Sequence, residues 1–308
     1  MHCDSVTVSC NAGGNFAGFA GQVNIEKLKK SGCAAQCFAL FTQGENAAKD
    51  FERFAAYYNA QIAVDPRILP VERFSDMEKA EKEGKIAAIL TVENLGFLNG
   101  DLSGIKRLAE SGVKMASLVW NFANALAFPN LIFNGGTPDF SAREKKGLTD
   151  LGRAAVEELN AHKIIVDISH LSDGGVEDVL TLSDKPIVAS HSNCAAAHNV
   201  SRNLTDGQIK KIADKGGVVG LNFCRDFLGG ENVFESLLAH YNNLVDIGGE
   251  NVPALGSDFD GIPAYEEMRD CTKVPELLNF FNLRGVKSSA LEKLARGNFY
   301  RVFKEVVG

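Results

Sequence analysis

The sequence predicts an α/β fold: one parallel sheet wound in a single sense, in one domain over residues 1–308. Three observations carry this prediction. Short, continuous apolar runs rich in β-formers recur along the chain, as expected of parallel strands covered on both faces. Between them lie longer segments of helical period, and no linker-like break interrupts the alternation. The length of 308 residues suits a (β/α)8 barrel, which needs about 250 residues plus insertions. At this level an open doubly wound sheet and a closed barrel both remain open.

The strand candidates, in order, are Cys33 to Phe41, Lys85 to Glu93, Met115 to Trp120, Ile164 to His170, Pro186 to His191, Gly217 to Phe223 and Val252 to Asp258. An eighth strand is expected as a stub at the start, because His2, Cys3 and Asp4 have almost nothing before them. Either the first strand is truncated or the native chain starts upstream of Met1. Amphipathic crossover helices are expected at Ala47 to Tyr58, Leu102 to Ser111, Leu151 to His162, Asp206 to Lys215, Phe234 to Ile247 and Ser289 to Val306. In the third of these, Leu151, Ala155 and Leu159 recur four apart and define the apolar face. The Asn/Gly/Pro-rich stretch from Asn121 to Thr149 lacks periodicity and follows a strand directly, which marks a functional loop or lid.

Composition narrows the function. Hydrophobic residues make up 45% and charged residues 23%, enough to bury a sizeable core. A net charge of -7, with both signs interspersed, lacks the basic face that nucleic acid requires. No apolar run reaches the ~18 residues of a membrane span, and the first residues lack the order of a signal peptide. The seven cysteines are odd in number and contain no CxxC pair, so they read as reduced thiols of a cytoplasmic protein.

The informative pattern is positional. Strand ends carry His2 and Asp4, Glu93, His170, His191 and Asp258. In a barrel those ends meet at the C-terminal mouth, where barrel enzymes place their chemistry. Buried histidines and carboxylates converging on one point demand a cation. Five ligands exceed one tetrahedral zinc with an open position, but they suit two zincs about 3.5–4 Å apart, sharing a carboxylate and a hydroxide. Glu93, alone on its strand end, is the natural bridge. Three other histidines stay outside this set: His162 near a helix C-terminus, His198 in a loop, and His240 mid-helix, read as part of a solvated face.

These residues resemble the membrane (renal) dipeptidases, zinc enzymes of the amidohydrolase superfamily. The resemblance rests on His2-Cys3-Asp4, Asp167-Ile168-Ser169-His170, Ser190-His191-Ser192-Asn193, Ser201-Arg202-Asn203-Leu204 and Gly256-Ser257-Asp258-Phe259-Asp260-Gly261, in order over nearly the whole chain. It implies a single (β/α)8 barrel and two Zn2+ per chain, bridged by Glu93 and a water or hydroxide. His2, Asp4 and Glu93 would hold one ion and Glu93, His170 and His191 the other. Asp258 would handle the proton and Arg202 would hold the substrate's terminal carboxylate. Without the family, Arg202 would read as a surface arginine near the helix opened by Thr205 and Asp206, and Asp260 as a turn residue bonding its own backbone.

The implied substrate is a dipeptide with a free C-terminal carboxylate, with tolerance of a D-residue at the second position, and the implied assembly is a homodimer. Where many relatives carry a histidine after strand four, this chain reads Ser117-Leu118-Val119-Trp120-Asn121. Trp120 and Asn121 are therefore expected at the substrate, with oxyanion stabilisation falling on the metals, Asn121 or Asn124. The rival readings are another binuclear amidohydrolase, acting on a lactone, a cyclic amide or a phosphoester, and a barrel without catalysis that serves as a binding module.

Overall fold

A computed structural model describes all residues, Met1–Gly308. Eight parallel strands form the ring: β1 (His2–Cys3), β2 (Ala35–Phe41), β3 (Ile86–Glu93), β4 (Val113–Ser117), β5 (Ile165–Asp167), β6 (Val188–Ala189), β7 (Val218–Asn222) and β8 (Pro253–Phe259). From β2 to β8 each strand pairs with the next, and β1 pairs with β8 through His2 opposite Ser257 and Cys3 opposite Phe259. Of the two architectures left open, the structure selects the barrel. Its one seam without a ladder lies between β1 and β2, where the Cys3 thiol donates to the Cys37 carbonyl at 3.4 Å.

All seven long strand candidates form, and the stub forms as a two-residue strand. The short strand Ile68–Pro70, which pairs with the first half of β3 through Ile86, Ala87 and Ala88, is not foreseen in the sequence. It shares that edge with β4, which takes Leu90 to Val92.

Two apolar layers explain the closed form. Inside the ring, Cys37, Ile89, Met115, Ile165, Val188, Val218 and Ala254, one from each of seven strands, pack together and against Phe299, Val302 and Phe303 of the helix Asn298–Val306, which plugs the N-terminal end. Outside it, a larger core joins the opposite strand faces to the crossover helices. The last expected helix divides into Ser288–Glu292, a π-turn over Lys293–Gly297 and Asn298–Val306. No helix is long and apolar enough to cross a membrane.

One helix face needs correction. In Asp150–Ala161 the buried residues are Gly152, Ala155, Val156 and Leu159, while Leu151 is 42% exposed. A Cβ at Gly152 would run into the Leu126 carbonyl, so this glycine lets the helix approach the preceding loop and turns Leu151 outward.

That loop, between β4 and this helix, is structured. It holds an antiparallel hairpin, Ile132–Asn134 with Thr137–Asp139, turned by Gly135 and Gly136, both at positive φ. Asn130 N–H donates to the His170 carbonyl at 2.7 Å, Ser172 N–H to the Phe128 carbonyl at 3.0 Å, and Ser201 N–H to the Phe140 carbonyl at 2.6 Å. The loop is thereby fastened to the turns that carry His170 and Arg202.

Candidate metal centre

Four strand ends deliver His2, Asp4, Glu93, His170 and His191 to one point, all buried. Glu93 faces two groups of donors. Its Oε1 lies 3.0 Å from His170 Nε2 and 3.6 Å from His191 Nε2, and its Oε2 lies 3.5 Å from His2 Nε2. Asp4 Oδ2 is 3.3 Å from the same His2 nitrogen. Bonds of about 2.0–2.1 Å at tetrahedral zinc put neighbouring donors about 3.3–3.4 Å apart. The observed spacings are those of donors able to share ions, with one carboxylate between two sets.

The hydrogen bonds behind the histidines fix which nitrogen faces inward. Ser190 Oγ donates to Asp167 Oδ2, so its lone pair accepts from His191 Nδ1–H at 2.7 Å. Asn121 Oδ1 accepts from His170 Nδ1–H at 2.9 Å. Both Nε2 atoms are then bare lone pairs, yet they stand 3.0 Å apart beside a carboxylate oxygen. Two imidazole lone pairs and a carboxylate oxygen so close repel one another, with only the Arg202 guanidinium, 3.2 Å from His170 Nε2, to offset them, and a cation among them relieves that repulsion. Burial, reinforced for His170 by the Arg202 charge, depresses that histidine to about 4 and drives His191 well below the ordinary value, which keeps both neutral as ligation requires. The buried Asp4 Oδ1 has no partner at all. The donors present fit divalent metal.

Two further groups border the cluster. Asp258 Oδ1 is 3.9 Å from His2 Nε2, and its Oδ2 accepts from Asn222 Nδ2 at 2.9 Å. Burial pushes its carboxyl up to about 7; the Asp4 and Glu93 charges add to the rise, and His2 and Arg202 oppose it. Arg202 is only 2% exposed, so it is no surface arginine. Its Nη2 lies 3.2 Å from His170 Nε2 and donates to the His191 carbonyl at 3.2 Å, while Nε and Nη1 are buried without partners. A buried guanidinium with two partnerless nitrogens beside such a cluster is a receptor for an anionic group.

The sequence profile of the membrane dipeptidases, peptidase family M19, matches residues 5–307. The chain belongs to the membrane dipeptidase family. Membership makes it a metallo-dipeptidase, a hydrolase of peptide bonds. Among relatives, a protein encoded in the pqqA 5′ region of Klebsiella pneumoniae is 33% identical over 75% of this chain and 86% of its own length. An uncharacterised dipeptidase of Schizosaccharomyces pombe is 30% identical over 72% of this chain, which spans only 53% of that protein. The crystal structure of dipeptidase AC, a family M19 metallo peptidase, superposes with a TM-score of 0.92 at 27% identity, covering 100% of this chain and 97% of that one. A metallo peptidase from Rhodobacter sphaeroides, liganded with a phosphinate mimic of the dipeptide L-Ala-D-Ala, gives 0.89 at 25% identity over 99% and 98%.

In this family member Trp120 lies at the wall of the site, its ring 6.2 Å from that of His170 and edge-on to Phe41 at 4.9 Å. Asn121 has its oxygen committed to His170, which leaves only its amide nitrogen for a substrate. Asn124 is fully used within the loop: Nδ2 donates to Leu118 O and Asn94 Oδ1, and Oδ1 accepts from Leu126 and Ala127 N–H. It has nothing left for an oxyanion.

Sequence reasoning gave no role to Asn222 or Ser190, although each sits at a strand end, the same signal that exposes the ligands. It also misread His240, which is fully buried. Its Nδ1 accepts from Cys194 N–H at 3.1 Å and its Nε2–H donates to the Leu228 carbonyl at 3.0 Å, so two backbone groups draw it inward. Asp260 bonds not its own backbone but distant groups: it accepts from Gln22 N–H at 2.7 Å, Val23 N–H at 3.1 Å and Ser5 Oγ, tying the first segments to the end of β8.

Proposed function

We propose that this protein is a two-zinc dipeptidase that cleaves dipeptides with a free C-terminal carboxylate and accepts a D-residue at the second position. The observation that carries the reading is Glu93 facing His2, which Asp4 adjoins, with one oxygen and His170 and His191 with the other, near a buried arginine with two partnerless nitrogens. In this reading His2, Asp4 and Glu93 hold one ion and Glu93, His170 and His191 the second. When bound, the two ions supply an ionised water at neutral pH and polarise the scissile carbonyl.

The chain's own groups do the rest. Arg202 takes the substrate carboxylate in a charge-assisted contact through its partnerless Nε and Nη1, which favours short peptides ending near the metals. Asp258, held by Asn222 and raised toward neutrality by burial, collects a proton and delivers it to the departing amine. Trp120 closes one side of the site and sheds water there. Tolerance of a D-residue draws support from the Rhodobacter sphaeroides neighbour, whose bound mimic is of L-Ala-D-Ala. The seven free thiols support a reducing, cytoplasmic setting. Arg202 favours a peptidase over a lactonase, whose substrate brings no anionic group for it.

The test is elemental analysis of the purified protein together with hydrolysis of L,L- and L,D-dipeptides before and after chelation. Two zincs per chain and chelator-sensitive cleavage are expected. Metal without cleavage of any dipeptide would refute the substrate class.

A further inference from the structure

We propose that Arg143 is a positioning residue that holds Arg202 at a fixed distance from the metal-binding turn, and so sets recognition of the substrate's terminal carboxylate. The inference rests on the dipeptidase reading above.

Arg202 forms no ion pair with any carboxylate; its neighbours are His170 Nε2, the His191 carbonyl and the face of Phe227, 5.2 Å from its guanidinium carbon. With no carboxylate to anchor it, its position depends on the backbone turn that bears it as well as on these contacts. Arg143 grips that turn on both sides of Arg202, donating from Nη2 to the Val200 carbonyl at 3.2 Å and the Asn203 carbonyl at 2.8 Å. Its other arm, Nη1, meets Asp173 Oδ1 at 3.0 Å, and both side chains are largely shielded from water.

Asp173 follows His170 by three residues and opens the helix Asp173–Leu182. It is itself braced by Gln208 Nε2 at 3.1 Å and by Lys145 Nζ at 2.8 Å. Arg143 thus spans the two turns that carry the metal-facing His170 and the carboxylate-facing Arg202. A lysine there can reach Asp173 or a carbonyl, but it lacks the planar fork that engages both turns at once.

The test compares wild type, Arg143→Met and Arg143→Lys, each loaded with zinc, on one L,L-dipeptide and on its C-terminal amide. Wild type is expected to prefer the free acid. Arg143→Met should raise KM for the acid about tenfold or more, with kcat changed less than about threefold, and leave KM for the amide near its starting value. Arg143→Lys should fall between, and calorimetric affinity for a phosphinate dipeptide mimic should follow the same order. The double variant Arg143→Met/Arg202→Met should lose no more KM than Arg202→Met alone, because both act through one contact.

Equal losses on acid and amide, a loss confined to kcat, or additive losses in the double variant would each overturn the proposal. If Arg143→Met does not fold, Arg143→Lys decides by the same acid-to-amide ratio. A wild type that cleaves no dipeptide would sink the dipeptidase reading instead; a wild type that cleaves them, with variants keeping its preference for the acid, would sink only the role of Arg143.

Discussion

Replacing Ser190 with alanine tests the metal centre without touching a ligand. Ser190 is fully buried, and its hydroxyl is the sole side-chain partner of His191 Nδ1, relaying that nitrogen to Asp167. In Ser190→Ala the imidazole has two poor choices. It keeps its proton on Nδ1 with no acceptor, which costs about 1–3 kcal/mol for a buried donor, or it moves the proton to Nε2 and ceases to be a ligand. Loss of such an orienting partner weakens metal binding about 10–100-fold, or about 1.4–2.7 kcal/mol, in agreement with the hydrogen-bond figure. The loss should fall on the ion near His170 and His191, while the site near His2 and Asp4 holds. Zinc competition against a chelator of known affinity should therefore show one weakened site and one unchanged site. A folded variant that binds both ions within about twofold of wild type would refute the relay.

Three other outcomes follow from the same geometry. Asp258→Asn should lower kcat about 10²–10⁴-fold with metal content retained; activity near wild type would remove Asp258 from proton transfer. Burial depresses His240 from 6.5 to about 4, so the unfolded chain binds the extra proton in between and stability falls as pH drops through that range, by roughly 3 kcal/mol at about 1.4 kcal/mol per pH unit. His240→Gln, which keeps a donor and an acceptor but does not titrate, should lose less stability by about that amount in denaturant titrations at pH 7 and pH 4, and an unchanged pH dependence would exclude the assignment. Gly152→Ala should destabilise by about 1–3 kcal/mol in urea unfolding, because its Cβ would run into the Leu126 carbonyl; a neutral result would mean that the helix and loop separate without cost.

What could be read in the sequence was what periodicity and strand ends encode. Continuous apolar runs such as Ile86 to Glu93 declare buried parallel strands, and the last polar residue of each run declares the mouth. That reasoning brings His2, Asp4, Glu93, His170, His191 and Asp258 to one place, and the structure brings them together. The misreadings have a common cause: they turn on backbone groups, which carry no side-chain pattern. Leu151 faces water because Gly152 approaches a carbonyl, and His240 is buried because a backbone amide donates to it and a carbonyl accepts from it. The strand Ile68–Pro70 is too short to show a period. Asn124 looked available until its four backbone and side-chain bonds accounted for it.

Backbone conformation also marks the mouth. Asn94, His170, Ser257, Asp258 and Asp260, all non-glycine, adopt φ between 61° and 74°. Each lies in the last three residues of a strand that supplies the site or just beyond its end. Such conformations cost about 1–3 kcal/mol apiece unless the surroundings dictate them, and four of the five are Asn, Asp or His, the types that tolerate them best. Here the surroundings do dictate them. Ser257 Oγ donates to the His2 carbonyl at 2.7 Å, Asn222 holds Asp258, Asn130 N–H holds the His170 carbonyl, and Gly261 leaves room where a Cβ would strike Asp4 and Asp258. The left-handed turn at Asp258 lifts its carboxylate off the strand and beside His2, where an extended strand would have pointed it along the alternation of β8. The apolar interior plugged by Asn298–Val306 supplies the rigidity that keeps these turns from relaxing, and so the packing at one end of the barrel sustains the chemistry at the other.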